Sequence, residues 1–270
     1  MENVIRDYSN WSEYRKAAGV MPASSHQGDK NWCGTNTVGE ALAIADKGWP
    51  DGMARVRAIA IPALAACHAA IHADGGWQYD VTGADYDVGE YLTGAPECWL
   101  APETPASKPV VTIMANIVSS AGIPKAALEM RGAAVCALTM ALQTAGYAVR
   151  VFAVEGMNIG SKDIWHRVCL TDDMGGPLDT DRLLFALAHP SAARQIGYCL
   201  GVVMAGMTPD SGHMIGWPSG GPTAKPPGEW KSDLYLQPPF LDAAEWDSPE
   251  SVAAWVANTY AKLSLGESST

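Results

Sequence analysis

An α/β fold with a central, mostly parallel sheet flanked by helices, and a helical N-terminal extension, is the architecture this 270-residue chain predicts. Two apolar runs and the helix between them carry that reading. Val110 to Ile117 (VVTIMANI) is an unbroken apolar, β-branched run, as expected of a strand buried on both faces. Pro124 to Ala145 is a helix that Gly146 ends, and Tyr147 to Val154 (YAVRVFAV) is a second strand. Strand, helix and strand joined by short connections make a right-handed βαβ unit. Residues 101–270 therefore read as the α/β domain and residues 1–100 as a helical and irregular region packed on it, the whole forming one unit.

From the N-terminus, residues 1–37 are mixed and polar, anchored by Trp11, Tyr14 and Trp32. Thr37 to Lys47 reads as a helix, with Thr37 and Glu40 at capping-box spacing and Gly48 as its stop. Asp51 to Ala73 is Ala-rich and helical by composition, and Pro62 should kink or split it. Trp77 to Leu100 reads as irregular structure with short extended pieces, and Pro102 to Pro109 as an exposed linker. Beyond the βαβ unit, Trp165 to Thr171 reads as a third strand and Leu183 to His189 as a short helix. Ser191 opens a further helical turn, and Tyr198 to Ala205 (YCLGVVMA) reads as a fourth strand. Residues 206–230 are rich in Gly and Pro, Asp233 to Leu236 is a short strand, and Ser248–Pro249 starts a last amphipathic helix.

Composition narrows the function. A net charge of −11 and scattered Lys and Arg disfavour nucleic acid, because phosphate binding draws on clustered cations. The five arginines Arg55, Arg57, Arg131, Arg150 and Arg167 would have to share one face to reverse that. No apolar run approaches the about 18 residues that a membrane span needs. Residues 1–14 carry Glu2, Arg6, Asp7 and Glu13 and no apolar stretch, so no secretory leader is expected. The six cysteines contain no CxxC pair, which predicts reduced, buried thiols in a cytoplasm.

Candidate sites were weighed against plainer readings. Asn116, Ser119 and Ser120 end the first strand of the βαβ unit, where open sheets bind ligands, and Arg131 on the next helix adds charge. Asp172 and Asp173 would emerge on the same edge if the third strand is parallel, although Asp and Gly there also suit a plain turn. With Asn116 and Ser120 they could hold a cation, and Ser120, His166 and Asp172 could be cast as a catalytic triad, without the elbow motif such a nucleophile uses. His68 and His72, four apart on a helix, have a zinc-chelating spacing but lack a nearby third ligand, so a helix-end reading is favoured. Asp80, Asp85, Asp87 and Glu90 lack the register of a calcium loop and read as a solvated segment, and Glu97 is placed inward beside Trp99.

The run VVTIMANIVSSAGI (Val110 to Ile123) followed by RGAAVCALTMALQTAGYAVRVFAVEG (Arg131 to Gly156) resembles the opening of a von Willebrand factor A-type domain, which implies that residues 101–270 are von Willebrand A-like. Such domains begin with a buried strand ending in a metal-binding D-x-S-x-S loop, and they serve adhesion or assembly through Mg²⁺. Here Asn116 takes the place of the Asp and Val118 that of the first Ser, while Ser120 keeps the second. Two of the three positions thus depart, so no cofactor is expected and Mg²⁺ stays a minor alternative. EALAIADKGWPDG (Glu40 to Gly52), DVGEYLTGAPECW (Asp87 to Trp99), NIVSSAGI with RGAAVCAL, and WDSPESVAAWV (Trp246 to Val256) also resemble a group of bacteriophage and plasmid proteins of no assigned activity. The resemblance implies a mobile-element protein in a host cytoplasm. Ten Trp and nine Tyr suit a protein-binding surface, so a non-enzymatic interaction or assembly domain is expected. A metal-assisted hydrolase or a nucleic-acid-handling protein is the alternative.

Overall fold

The computed structural model describes residues 2–19, 29–73, 77–81, 85–102, 110–120, 122–159, 161–171, 179–207, 225–239 and 244–264. Its elements in chain order are β1 (Glu2–Tyr8), α1 (Trp11–Ala18), α2 (Lys30–Cys33), α3 (Val38–Lys47), α4 (Pro50–Ala73), β2 (Trp77–Asp80), β3 (Asp85–Tyr86), α5 (Val88–Thr93) and β4 (Trp99–Pro102). There follow β5 (Val110–Asn116), α6 (Lys125–Thr144), β6 (Ala148–Ile159), β7 (Lys162–Cys169), α7 (Thr180–Ala188), a π-helical segment (Ala192–Gly197), α8 (Tyr198–Met204), β8 (Leu234–Leu236), a 3₁₀ turn (Ala244–Trp246) and α9 (Pro249–Ser264).

The main sheet has five strands in the order β1-β7-β6-β5-β8. β5 lies parallel to both β6 and β8, and β1 lies parallel to β7. The β5–α6–β6 unit is therefore the parallel crossover that its apolar runs predict. The pair β6–β7 is antiparallel, which corrects the expectation that the third strand runs with the others. The reason is length. β6 extends to Ile159, so only two residues separate it from β7, whereas a parallel neighbour needs a crossover of about a dozen residues or more.

Further expectations change. The polar N-terminus supplies a strand, β1, which completes one edge of the main sheet. Tyr198 to Ala205 is a helix preceded by a π-helical turn, and the sheet position next to β5 belongs to β8. A short apolar run buried all round does not separate strand from helix. Pro62 does not split α4, which continues through it with the ring exposed. Trp77 to Pro102 forms a three-stranded antiparallel sheet, β2-β4-β3, with α5 between β3 and β4.

Strand alternation divides the sheet's two faces. Val111, Ile113, Ala115, Val151, Ala153, Ile164 and Val168 face a core shared with the helices. Met114, Phe152, Val154, Trp165 and Cys169 face the other way and are closed by Trp230 from a coil segment. Among the described residues, every helix in a core cluster packs on the first face. Gly132 lets α6 and α7 meet closely, because a Cβ there would lie 2.4 Å from that of Ala188. Caps fix the helix starts: Glu40 N donates to Thr37 Oγ1 (3.2 Å) and Ser251 N to Ser248 Oγ (3.1 Å). Cys33, Cys98, Cys136, Cys169 and Cys199 are buried free thiols. No helix among the described residues is long and apolar enough to cross a membrane.

Candidate functional site

β5 delivers Asn116 to the end of the sheet, fully buried. Its Oδ1 accepts from Val118 N (3.1 Å), turning the chain, and its Nδ2 donates to the Tyr235 hydroxyl (3.1 Å). The loop that follows is closed by a residue far along the chain. Arg194, in the π-helical segment, donates through Nη2 to Ser119 Oγ (3.0 Å), Ser120 O (3.2 Å) and Ile123 O (3.0 Å). Its Nη1 donates to Trp32 O (2.8 Å), and its guanidinium lies 4.4 Å from the Trp32 ring centroid. Desolvation lowers its pKa to about 10, which leaves it charged at neutral pH. Arg131 is buried too, and its Nη2 donates to Leu236 O (3.2 Å) and Gln237 O (2.8 Å), tying α6 to β8.

This arrangement decides what the strand end does. Ser119 Oγ and the carbonyls of Ser120 and Ile123 already accept from a guanidinium, Asn116 Oδ1 accepts from a backbone amide, and a second positive charge beside the guanidinium would be repelled. Arg131 serves β8 rather than the loop.

Asp172 and Asp173 lie outside the described residues. β7 runs against β6, so Cys169 pairs with Phe152, and the Val151 amide donates to Thr171 Oγ1. Thr171 thus lies at the end of the sheet opposite Asn116, and the third strand, on whose parallel course the shared edge is conditional, is antiparallel. His166 sits opposite Glu155 on β6.

The remaining candidates resolve individually. The side chains of His68, His72, Asp80 and Asp85 lie outside the described residues. Asp87 caps α5, accepting from Glu90 N (3.2 Å), and also accepts from the Tyr79 hydroxyl (2.9 Å). Glu97 is exposed, a correction, and its neighbour Cys98 is the one buried. Arg55 pairs with Glu129 (2.9 Å) on the helical side, and Arg167 pairs with Asp7 across the other face of the sheet. Arg55 and Arg167 therefore lie on opposite sides of the sheet, and the five arginines do not share one face. Among the described residues no group of three His, Cys, Asp or Glu is placed to hold a metal.

A cleft of about 620 Å³ opens where the start of α1, the end of α3 and the start of α7 converge. Its charges largely cancel: Arg15 pairs with Asp46 (2.7 Å) and Arg182 with Asp179 (3.0 Å).

Sequence reasoning missed the most unusual polar group. Glu155 and His166 are buried directly opposite each other on β6 and β7, with His166 Nε2 3.5 Å from Glu155 Oε1. The Tyr14 hydroxyl reaches the same oxygen at 3.5 Å. Burial pushes the Glu155 carboxyl well above its usual range, opposed by the Tyr14 hydrogen bond, and pulls His166 down to about 4. The signal was present, because Glu155 continues the Val151, Ala153 alternation onto the helix-covered face.

With the geometry in place, the chain matches a family described as a domain of unknown function, DUF7192, over residues 2–267. It belongs to that family. The DUF7192 match spans both sheets, so the small β2-β4-β3 sheet belongs to the family unit as much as the large one does. No curated protein and no solved structure matches the chain.

Proposed function

We propose that this chain is a non-enzymatic interaction or assembly domain whose contact surface is the small-sheet region around β2, α5 and β4. The carrying observation is where large apolar side chains face solvent. Among the described residues eight large hydrophobics are exposed, and five of them fall between residues 79 and 99: Tyr79 (50%), Val81 (58%), Tyr91 (62%), Leu92 (78%) and Trp99 (39%). Exposed aromatic and aliphatic groups gathered in one stretch of chain mark contact surfaces, where such rings carry most of the binding energy. The guanidinium lodged in the Asn116 loop supports the same reading, since it disfavours a cation there.

A von Willebrand A-like kinship and a phage or plasmid setting in a host cytoplasm belong to this proposal. Their support is the β5–α6–β6 unit and the sequence blocks that carry the resemblance.

The test pairs Tyr91→Ser/Leu92→Ser with a control at another exposed apolar residue, Ile61→Ser. Cross-linking in host cells, read by mass spectrometry, should give the same partner set for the native chain and the control, and lose it for the double variant at unchanged melting temperature. Partner sets shared by all three proteins would refute the surface. Mg²⁺ or Mn²⁺ should leave the melting temperature unchanged, whereas a clear rise would favour a metal-dependent function.

A further inference from the structure

Glu155 and His166 sit under the helical layer with almost nothing to bond to. Among the described residues, Glu155 Oε2 and both ring nitrogens of His166 lack a hydrogen-bond partner, and the polar approaches to the pair are the two 3.5 Å contacts at Glu155 Oε1. The roof is the backbone of the π-helical segment: a Cβ on Gly197 would lie 1.8 Å from Glu155 Oε1, so only glycine leaves room for the carboxyl. The groups facing the pair are few. Tyr14 comes from α1, and Cys199 of α8 acts on Tyr14. Tyr8 comes from β1, edge-on to His166, and Arg6 of β1 pairs in register with His166 but points into solvent. Glu13 of α1 acts on Tyr8 rather than on the pair.

We propose that Glu155 and His166 hold a single proton between them and form a pH-sensitive latch joining the sheet to the helical layer. With one proton the pair is neutral overall, whether that proton sits on the carboxyl or bridges to the imidazole. With none, an uncompensated anion is buried; with two, an uncompensated cation. Either state must be resolved by lifting α1 or the π-helical segment to admit water.

Proton counting gives the direction. Unfolded, Glu155 titrates near 4.5 and His166 near 6.5. Between those values the unfolded chain also carries one proton, and the pair makes stability neither rise nor fall. Above pH 6.5 the unfolded chain carries none while the folded chain keeps one. Stability then falls as pH rises, about tenfold in the folding constant per unit, or about thirtyfold from pH 6.5 to 8. On the acid side the loss is confined between 4.5 and about 4, where the folded His166 accepts a proton as well.

Single variants separate the two groups, with stability measured by denaturant titration from pH 4 to 9. Glu155→Gln should abolish the alkaline loss and expose an acid loss starting near pH 6.5, now set by His166 alone. His166→Asn should move the onset of the alkaline loss down by about two units, to the ordinary carboxylate range. A purely structural role would lower both profiles without shifting either onset, and parallel profiles overturn the proposal. If either variant fails to fold, NMR of the His166 ring in the native chain decides: no titration between pH 5.5 and 7.5 is expected, and a midpoint near 6.5 overturns the latch.

Discussion

Two buried polar clusters in this protein solve one problem differently. At the end of β5 the charge on Arg194 is permanent at neutral pH, and the chain surrounds it with one hydroxyl, three carbonyls and an aromatic face. In the middle of the sheet, Glu155 and His166 have almost no such partners, and their burial shifts both toward neutral forms. A guanidinium cannot shed its proton, so it must be solvated by the fold. A carboxyl and an imidazole can exchange one, so they tolerate a poorer shell. The first arrangement makes a rigid joint, and the second a joint that answers to solution conditions.

The contrast is most easily broken at Arg194. Arg194→Ala strands Ser119 and three carbonyls in the interior, and should cost about 3–5 kcal/mol in denaturant unfolding at every pH. A loss below about 1 kcal/mol would mean that water replaces the guanidinium and that the joint is not rigid. Gly197→Ala comes next, at about 1–3 kcal/mol from overpacking against the Glu155 carboxyl. A double-mutant cycle with Glu155→Ala should recover much of that cost, since the clash disappears with the carboxyl; additive effects would place the strain elsewhere. The smallest effect is expected at Asn116→Ala, about 1–2 kcal/mol, from the lost turn and the lost hydrogen bond to Tyr235. Its pH profile should parallel that of the native chain, and a changed pH onset would show that the two clusters are coupled.

Local signals were legible where they were strong. Val110 to Ile117 read as a buried strand, Pro124 to Ala145 as a helix, and Thr37 and Ser248 as caps, because each rests on neighbours within a few residues. The direction of β7 was not legible, since it depends on how far β6 runs, and Gly156 and Asn158 disguise the last turns of an extended strand. The Asn116 loop was placed correctly at the sheet's end, yet its role depends on Arg194, 75 positions from Ser119. Nothing in the loop itself announces that partner. Glu155 was the reverse case, visible as a charge in an apolar alternation, although its opposite number emerges only once the hairpin register is known.

The edges of the main sheet also bear on how the protein reaches its native state. β1 takes its place against β7, whose Arg167 meets Asp7 across 160 positions, and β8 joins β5 from more than a hundred positions downstream. Growing from a ribosome, β1 must wait unpaired while most of its sheet is synthesised, and the face later closed by Trp230 stays bare longer still. Such long-range closure makes assembly slow and late. It also lengthens the time during which open strand edges and bare apolar surface can aggregate.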